Sequence, residues 1–176
     1  MTIRTKMALG GCLLLQTLFA QPAEDPAAEA ARALYTLDAK LKLSGLPDAT
    51  HLKEIAPYLS SGLQSLIVKA QSQQARCIKS HPGDKGPWVE GDMFTSNFEG
   101  FTRFAFGPAK SEPTRVIQTI DFEYSENGAK VRWQDQVILI KEKGRWVVDE
   151  ISYGHAQGLG NGFGSGLRGT LTTRGC

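Results

Sequence analysis

Residues Arg115–Tyr153 read RVIQTIDFEYSENGAKVRWQDQVILIKEKGRWVVDEISY, and this stretch decides the fold. Val116, Ile120, Phe122 and Tyr124 fall on one side of an alternating pattern, with Arg115, Thr119, Asp121 and Glu123 on the other. A period of two is the mark of a strand with one buried face. Asn127-Gly128 is the residue pair that a two-residue hairpin turn needs, because both positions take positive φ. Glu142-Lys143-Gly144 supplies a second turn, expected as type I with Gly144 left-handed. The stretch therefore predicts three antiparallel strands, Arg115–Tyr124, Val131–Lys141 and Arg145–Tyr153. Thr102–Phe106 predicts a short fourth.

These turns set a register. The first places Tyr124 opposite Val131, Phe122 opposite Trp133 and Ile120 opposite Asp135. The second places Lys141 opposite Arg145, Val137 opposite Asp149 and Asp135 opposite Ile151. One face of the sheet is then apolar except for Gln118, Asp135 and Asp149, which gather near its middle.

Working back toward the N-terminus, the period becomes helical. Pro26–Leu43 carries Ala30, Ala33, Leu34, Leu37 and Leu41 on one face, and Ser44-Gly45 ends it. Leu46-Pro47-Asp48 is a turn. Ser60–Ala70 is a further helix that can run on towards Cys77, and His81–Gly86 is a loop by composition. Helices first and an antiparallel sheet after them give an α+β domain. This order resembles the cystatin-like cone of the nuclear-transport-factor superfamily, in which helices pack on a curved sheet and leave a pocket.

The chain begins with Arg4 and Lys6, followed by the apolar run Met7–Ala20. A basic start and a short apolar run predict an export signal over residues 1–20, removed after Ala20 or Ala23. The run is too short for a stable span, which takes roughly 20 apolar residues. Lipid anchoring through Cys12 is the minor alternative, since most of the apolar run follows that cysteine rather than preceding it. Residues 21–154 would then form one α+β domain and 155–176 a glycine-rich tail, able to fold over the sheet mouth with Phe163 and Leu167 as anchors. Without residues 1–20 the chain has 18 basic and 18 acidic residues. That neutrality leaves no basic stripe for nucleic acid or an anionic membrane. Cys77 and Cys176 remain, and an oxidising compartment predicts a disulfide between them, with two free thiols as the alternative.

Three segments carry a closer resemblance. They are Val89–Gly100 (VEGDMFTSNFEG), Val131–Leu139 (VRWQDQVIL) and Gly144–Gly154 (GRWVVDEISYG), joined by Tyr58-Leu59-Ser60 and the ending Gly164–Leu171 (GSGLRGTL). Together they resemble a family of short exported bacterial proteins carrying a domain of unknown function. The resemblance implies export and the cone-like fold, and brings no reaction with it.

Asp135 and Asp149 are the leading candidates for chemistry. A carboxylate facing an apolar layer is pushed toward its neutral form unless it is paired, and two on one sheet face could share a proton or divide acid and base roles. The structural alternative has each bound by backbone N–H groups or by an arginine such as Arg103. Asp92 reads first as the N-cap of a helix starting at Met93, and second as a pocket acid. Trp133, Tyr153 and Phe122 are candidates for an aromatic wall, or simply for core. The histidines His51, His81 and His155 have no metal-binding spacing, and no cofactor is implied. G-x-S-x-G is absent. The G-x-G-x-x-G match at Gly164–Gly169 has no following βαβ unit and is discounted as a nucleotide site.

The functional expectation is an exported, non-enzymatic domain that binds a small molecule or a protein at the mouth of its sheet. Gln118, Asp135, Asp149, Trp133, Tyr153 and Asp92 would be the contacts. The rivals are an enzyme using Asp135 or Asp149 as acid or base, and an inhibitor or immunity-type protein of the periplasm.

Overall fold

A computed structural model of the chain describes residues 25–154, 166–172 and 176. The expected signal 1–20 with Cys12, both cut sites, His155 and Phe163 lie outside the described residues.

Helix α1 spans Pro26–Leu41. The Asp25 carboxylate accepts the Ala27 N–H at 2.9 Å, and Pro26 sits in the first turn, where its missing N–H costs nothing. Lys42, left-handed at φ 51°, closes the helix, earlier than the expected Ser44-Gly45. The buried stripe is Ala27, Ala31, Leu34, Tyr35 and Asp38. It is rotated from the expected stripe, whose Ala30, Leu37 and Leu41 flank it half-buried. Helix α2 (Ala49–Ile55) and a 3-10 turn at Ala56–Tyr58 follow the expected Pro47 turn. Helix α3 runs Ser61–Ser80, with Ser60 accepting the Leu63 N–H as its cap and Leu63, Ile67, Ala70 and Cys77 buried. A disulfide joins Cys77 to Cys176.

Four strands form one antiparallel sheet in chain order: β1 (Arg103–Ser111), β2 (Arg115–Glu126), β3 (Ala129–Glu142) and β4 (Arg145–Ser152). The chain is thus α+β, with N-terminal helices packed on a four-stranded sheet. The β2–β3 register is the expected one, with Phe122 opposite Trp133 and Ile120 opposite Asp135. Asn127 and Gly128 both take positive φ, as a two-residue turn requires.

The β3–β4 register differs from expectation. Lys143 adopts φ 50° beside Gly144 at φ 80°, so the turn is also a two-residue one. Glu142 therefore faces Arg145, and Leu139 faces Val148. A bulge between Ile138 and Leu139 then shifts the pairing, and Val137 faces Ile151. The expected pairs Lys141–Arg145, Val137–Asp149 and Asp135–Ile151 do not form. The tighter turn flips the start of β4 by one residue, and the bulge flips it back. Ile151 and Tyr153 return to the inner face. Val148 joins the core, while Val147 is buried outside the main cluster. Asp149 falls at the bulge, half-buried.

The core lies between the helices and this sheet. Tyr35 of α1 packs edge-on to Phe122 with ring centroids 5.1 Å apart, and Phe122 stacks on Trp133 at 5.4 Å. Gly166 bridges to Ser152. Helix α4 (Leu167–Thr172) follows, its Leu167 and Leu171 buried against α3 and β4.

Candidate functional site

The expected helix from Met93 does not form. Residues 91–100 are an irregular segment pressed onto the core, with Met93, Phe94, Thr95 and Asn97 almost fully buried. Side chains from α1 and the sheet fasten it. The Tyr35 hydroxyl donates to the Phe94 carbonyl at 3.1 Å, and the Tyr153 hydroxyl to the Met93 carbonyl at 2.6 Å. Burial pushes both phenols well above their ordinary pKa, so they stay protonated donors. Trp133 Nε1 donates to Thr95 Oγ1 at 2.9 Å. Phe122 and Trp133 stack, and the chain's own segment packs over them and Tyr153, while Trp133 and Tyr153 also border a second cleft of about 500 Å³.

Asp135 is the centre of this fastening. Its carboxylate accepts from Ser96 N at 2.8 Å, Ser96 Oγ at 2.6 Å, Thr95 Oγ1 at 3.1 Å, Trp133 Nε1 at 3.3 Å and Gly154 N at 2.8 Å. Gly154 can come so close because it has no side chain: a Cβ there would collide with the Gln134 carbonyl oxygen. A carboxylate with every lone pair engaged is a structural knot rather than a base.

Asp149 stands apart from Asp135. The bulge turns it toward α3 and α4, where it accepts from Ser60 Oγ at 2.6 Å and pairs with the Arg168 guanidinium. Arg168 Nε also donates to the Asp149 carbonyl at 2.6 Å. The two carboxylates expected to converge have separate partner sets, and the arginine is Arg168 rather than Arg103. Gln118 is on the inner face as expected, but its amide donates to the carbonyls of Gly107 and Thr119 at 2.8 and 2.9 Å. It repairs the irregular stretch of β1 between Phe106 and Ala109.

Asp92 is a pocket acid. Its Oδ1 accepts the Phe94 N–H at 2.7 Å, and its own N–H donates to the Phe98 carbonyl at 3.0 Å. The positive φ of Gly100 (72°) brings that residue's backbone against the Asp92 carboxyl. Beside Asp92 lies Asp38, from the buried stripe of α1. It is 2% exposed, and neither carboxyl oxygen has a hydrogen-bond partner of good geometry among the described residues. The Asp92 carboxyl and the Leu43 N–H are near enough to favour its charged form, yet burial outweighs them and pushes Asp38 up to about 7. Burial, then the charge of Asp38, pushes Asp92 well above the usual carboxylate range. The pair therefore holds at least one shared proton near neutrality.

Asp38 and Asp92 line a cleft of about 550 Å³ between the end of α1 and segment 90–101. Lys42, Ser44, Glu90, Phe98, Glu99, Phe101 and Tyr124 complete most of its wall. The volume is in the range of small-molecule sites. Phe98 is 42% exposed there.

Of the expected site residues, Asp92 alone lines this cleft. Asp38 was missed. Its signal was available: it lies three and four residues beyond Tyr35 and Leu34, so it continues the apolar stripe of α1 as an acid. Among the described residues no group of histidine, cysteine and acidic side chains is arranged to hold a metal. No described helix is long and apolar enough to cross a membrane. No family model, curated protein or solved structure matches this chain.

Proposed function

We propose that this is an exported, disulfide-stabilised, non-enzymatic domain that binds a small molecule in the cleft beside Asp38 and Asp92. The observation that carries the reading is Asp38: a buried carboxyl on the wall of a ligand-sized cleft, whose oxygens have no well-formed hydrogen bond among the described residues and whose near neighbour is another acid. Burial strips such a carboxyl of water, and donors on a ligand can take the place of that water. Asp135 has both carboxyl oxygens engaged by the fold, and Asp149 is held through Oδ1 by Ser60 and Arg168. The Cys77–Cys176 bond is in keeping with an oxidising compartment, and the order of helices then antiparallel sheet supports kinship with cystatin-like cones.

A protein partner is the second reading. Phe98 on the cleft wall and Val89, next in sequence to the lining residue Glu90, are large exposed apolar residues, 42% and 39% exposed, and exposed apolar surface favours contact with another chain.

Native mass spectrometry of the chain purified from its own compartment tests the proposal. A retained small molecule, absent from a Ser44→Trp variant that fills the cleft, is the expected result. A retained molecule unaffected by Ser44→Trp places the ligand elsewhere, and a retained protein instead favours the second reading. The mass also reports where the signal was cut.

A further inference from the structure

We propose that the cleft takes a monovalent organic cation, a primary ammonium seated against Asp38 and Asp92 on an apolar body that packs on Phe98, Phe101 and Tyr124. This deepens the small-molecule reading above and rests on it.

Three observations select the class. The floor offers acceptors short of donors: among the described residues Asp38 has no well-formed hydrogen bond beyond the proton it can share with Asp92, and Asp92 accepts one backbone N–H. An ammonium brings three N–H donors and a compact charge. A hydroxyl or amide would meet the hydrogen-bonding need but not the charge. The wall is also acidic. Glu90 and Glu99 add to the pair, and Lys42, exposed at the rim, is the cation among the lining residues. An anion entering this cleft would meet four carboxyl groups. Finally, a divalent metal needs more ligands than these two carboxyls, and no cluster of three suitable side chains exists among the described residues. Phe98, Phe101 and Tyr124 suit the organic part, and an ammonium near their faces gains further attraction.

Binding is an exchange of charge. With one proton between them, the pair carries one negative charge, which the ammonium neutralises. At lower pH both carboxyls are protonated, and a proton must leave for solvent as the cation enters. Affinity therefore rises with pH through the titration of the pair. The groups around the pair are the Tyr35 phenol and Lys42 from α1, Asp135 and Tyr153 from the sheet side, and Glu90 and Glu99 at the rim. Both phenols keep their protons over this range, so they do not imitate the effect.

Isothermal calorimetry with three probes of matched skeleton tests the inference: 2-phenylethylamine, 2-phenylethanol and 3-phenylpropionate. The amine is expected to bind at least tenfold more tightly than the alcohol, and the acid not at all. Its affinity should rise about tenfold from pH 5.5 to pH 8 and fall tenfold in Asp38→Asn, with circular dichroism confirming that the variant is folded. Phe98→Ala, an exposed position with little bearing on folding, should weaken the amine a few-fold. Equal or better binding of the alcohol or acid overturns the proposal, as does amine binding that ignores Asp38→Asn. If no probe binds while the native protein retains a neutral or anionic molecule, the cation fails and the small-molecule reading stands. If no probe binds and nothing is retained, both fall.

Discussion

Asp135 accepts five hydrogen bonds and Asp38 no well-formed one among the described residues, although they are 1% and 2% exposed. Both sit on faces that the sequence pattern marks as apolar, and both lie next to segment 91–100. The difference is in the supply of donors. Asp135 meets the N–H groups of two loops and the side chains of Thr95, Ser96 and Trp133. Asp38 meets another acid. Burial alone thus does not say what a carboxylate does. One set of neighbours makes it a fastening, and the other leaves it with a proton to share and a cleft to face.

The sharpest way to break this comparison is to remove the fastening. Asp135→Asn replaces an acceptor by a group that carries two N–H donors of its own. One of the Ser96 and Gly154 amides then faces an N–H instead of an oxygen, and the new side-chain N–H groups are themselves poorly matched in a buried site. Each stranded group costs about 1–3 kcal/mol, so a loss of roughly 4–5 kcal/mol is expected in urea unfolding. Segment 91–100 should also lose protection in hydrogen exchange. A loss below 1 kcal/mol would show that the five bonds do not hold the segment.

The second test is on the pair, and here the sign runs with pH. A carboxyl held protonated by the fold binds its proton more tightly folded than unfolded. Its contribution is complete below about pH 4, where both states are protonated, and is lost as pH rises to about 7. Each tenfold change in proton affinity is worth about 1.4 kcal/mol, so Asp38 accounts for up to about 4 kcal/mol across that window. Asp38→Asn should flatten the fall in stability between pH 4 and pH 7 and leave the variant as stable as the parent, or more so, at neutral pH. A curve of unchanged slope would mean that the pair does not hold its proton in the folded chain.

Much of the sheet was legible because its signals are local. The Asn127-Gly128 turn and the alternation of β2 set a register that the fold keeps. The second turn misled because Lys143 accepts a left-handed backbone that a rule based on glycine reserves for Gly144. One residue of error there moved Asp149 from the bulge onto the inner face and created a false partner for Asp135. The bulge itself leaves no mark in a run such as Val147-Val148-Asp149. Segment 91–100 was illegible for another reason. Its conformation is dictated by distant donors and acceptors, namely Tyr35, Trp133, Asp135 and Tyr153, so a reading of neighbours along the chain finds only a cap residue before an apolar pair. Asp38 needed only the correct phase of α1. The expected stripe began at Ala30, whereas the buried one runs from Ala27 through Ala31, Leu34 and Tyr35 to Asp38.

The smallest effect asks whether the two regions are independent. Tyr153 belongs to the fastening, through its 2.6 Å bond to the Met93 carbonyl. The charge of Asp92 acts on Tyr153, but Tyr153 is not among the groups that displace Asp92 or Asp38. Tyr153→Phe keeps the ring and its packing and removes the hydroxyl's bond to the Met93 carbonyl and its contact with Thr170, at a cost of about 1–2 kcal/mol. The whole curve of stability against pH should move down by that amount with its slope between pH 4 and pH 7 intact. Asp135 differs in this respect, since its negative charge is one of the forces that raise Asp92. Asp135→Asn should therefore change the slope as well as the height. A parallel displacement for Tyr153→Phe and a tilted one for Asp135→Asn would locate the link between the regions in charge rather than in the shared segment. A tilt in both would mean that segment 91–100 itself transmits the fastening to the pair, so that loosening one end opens the other to water.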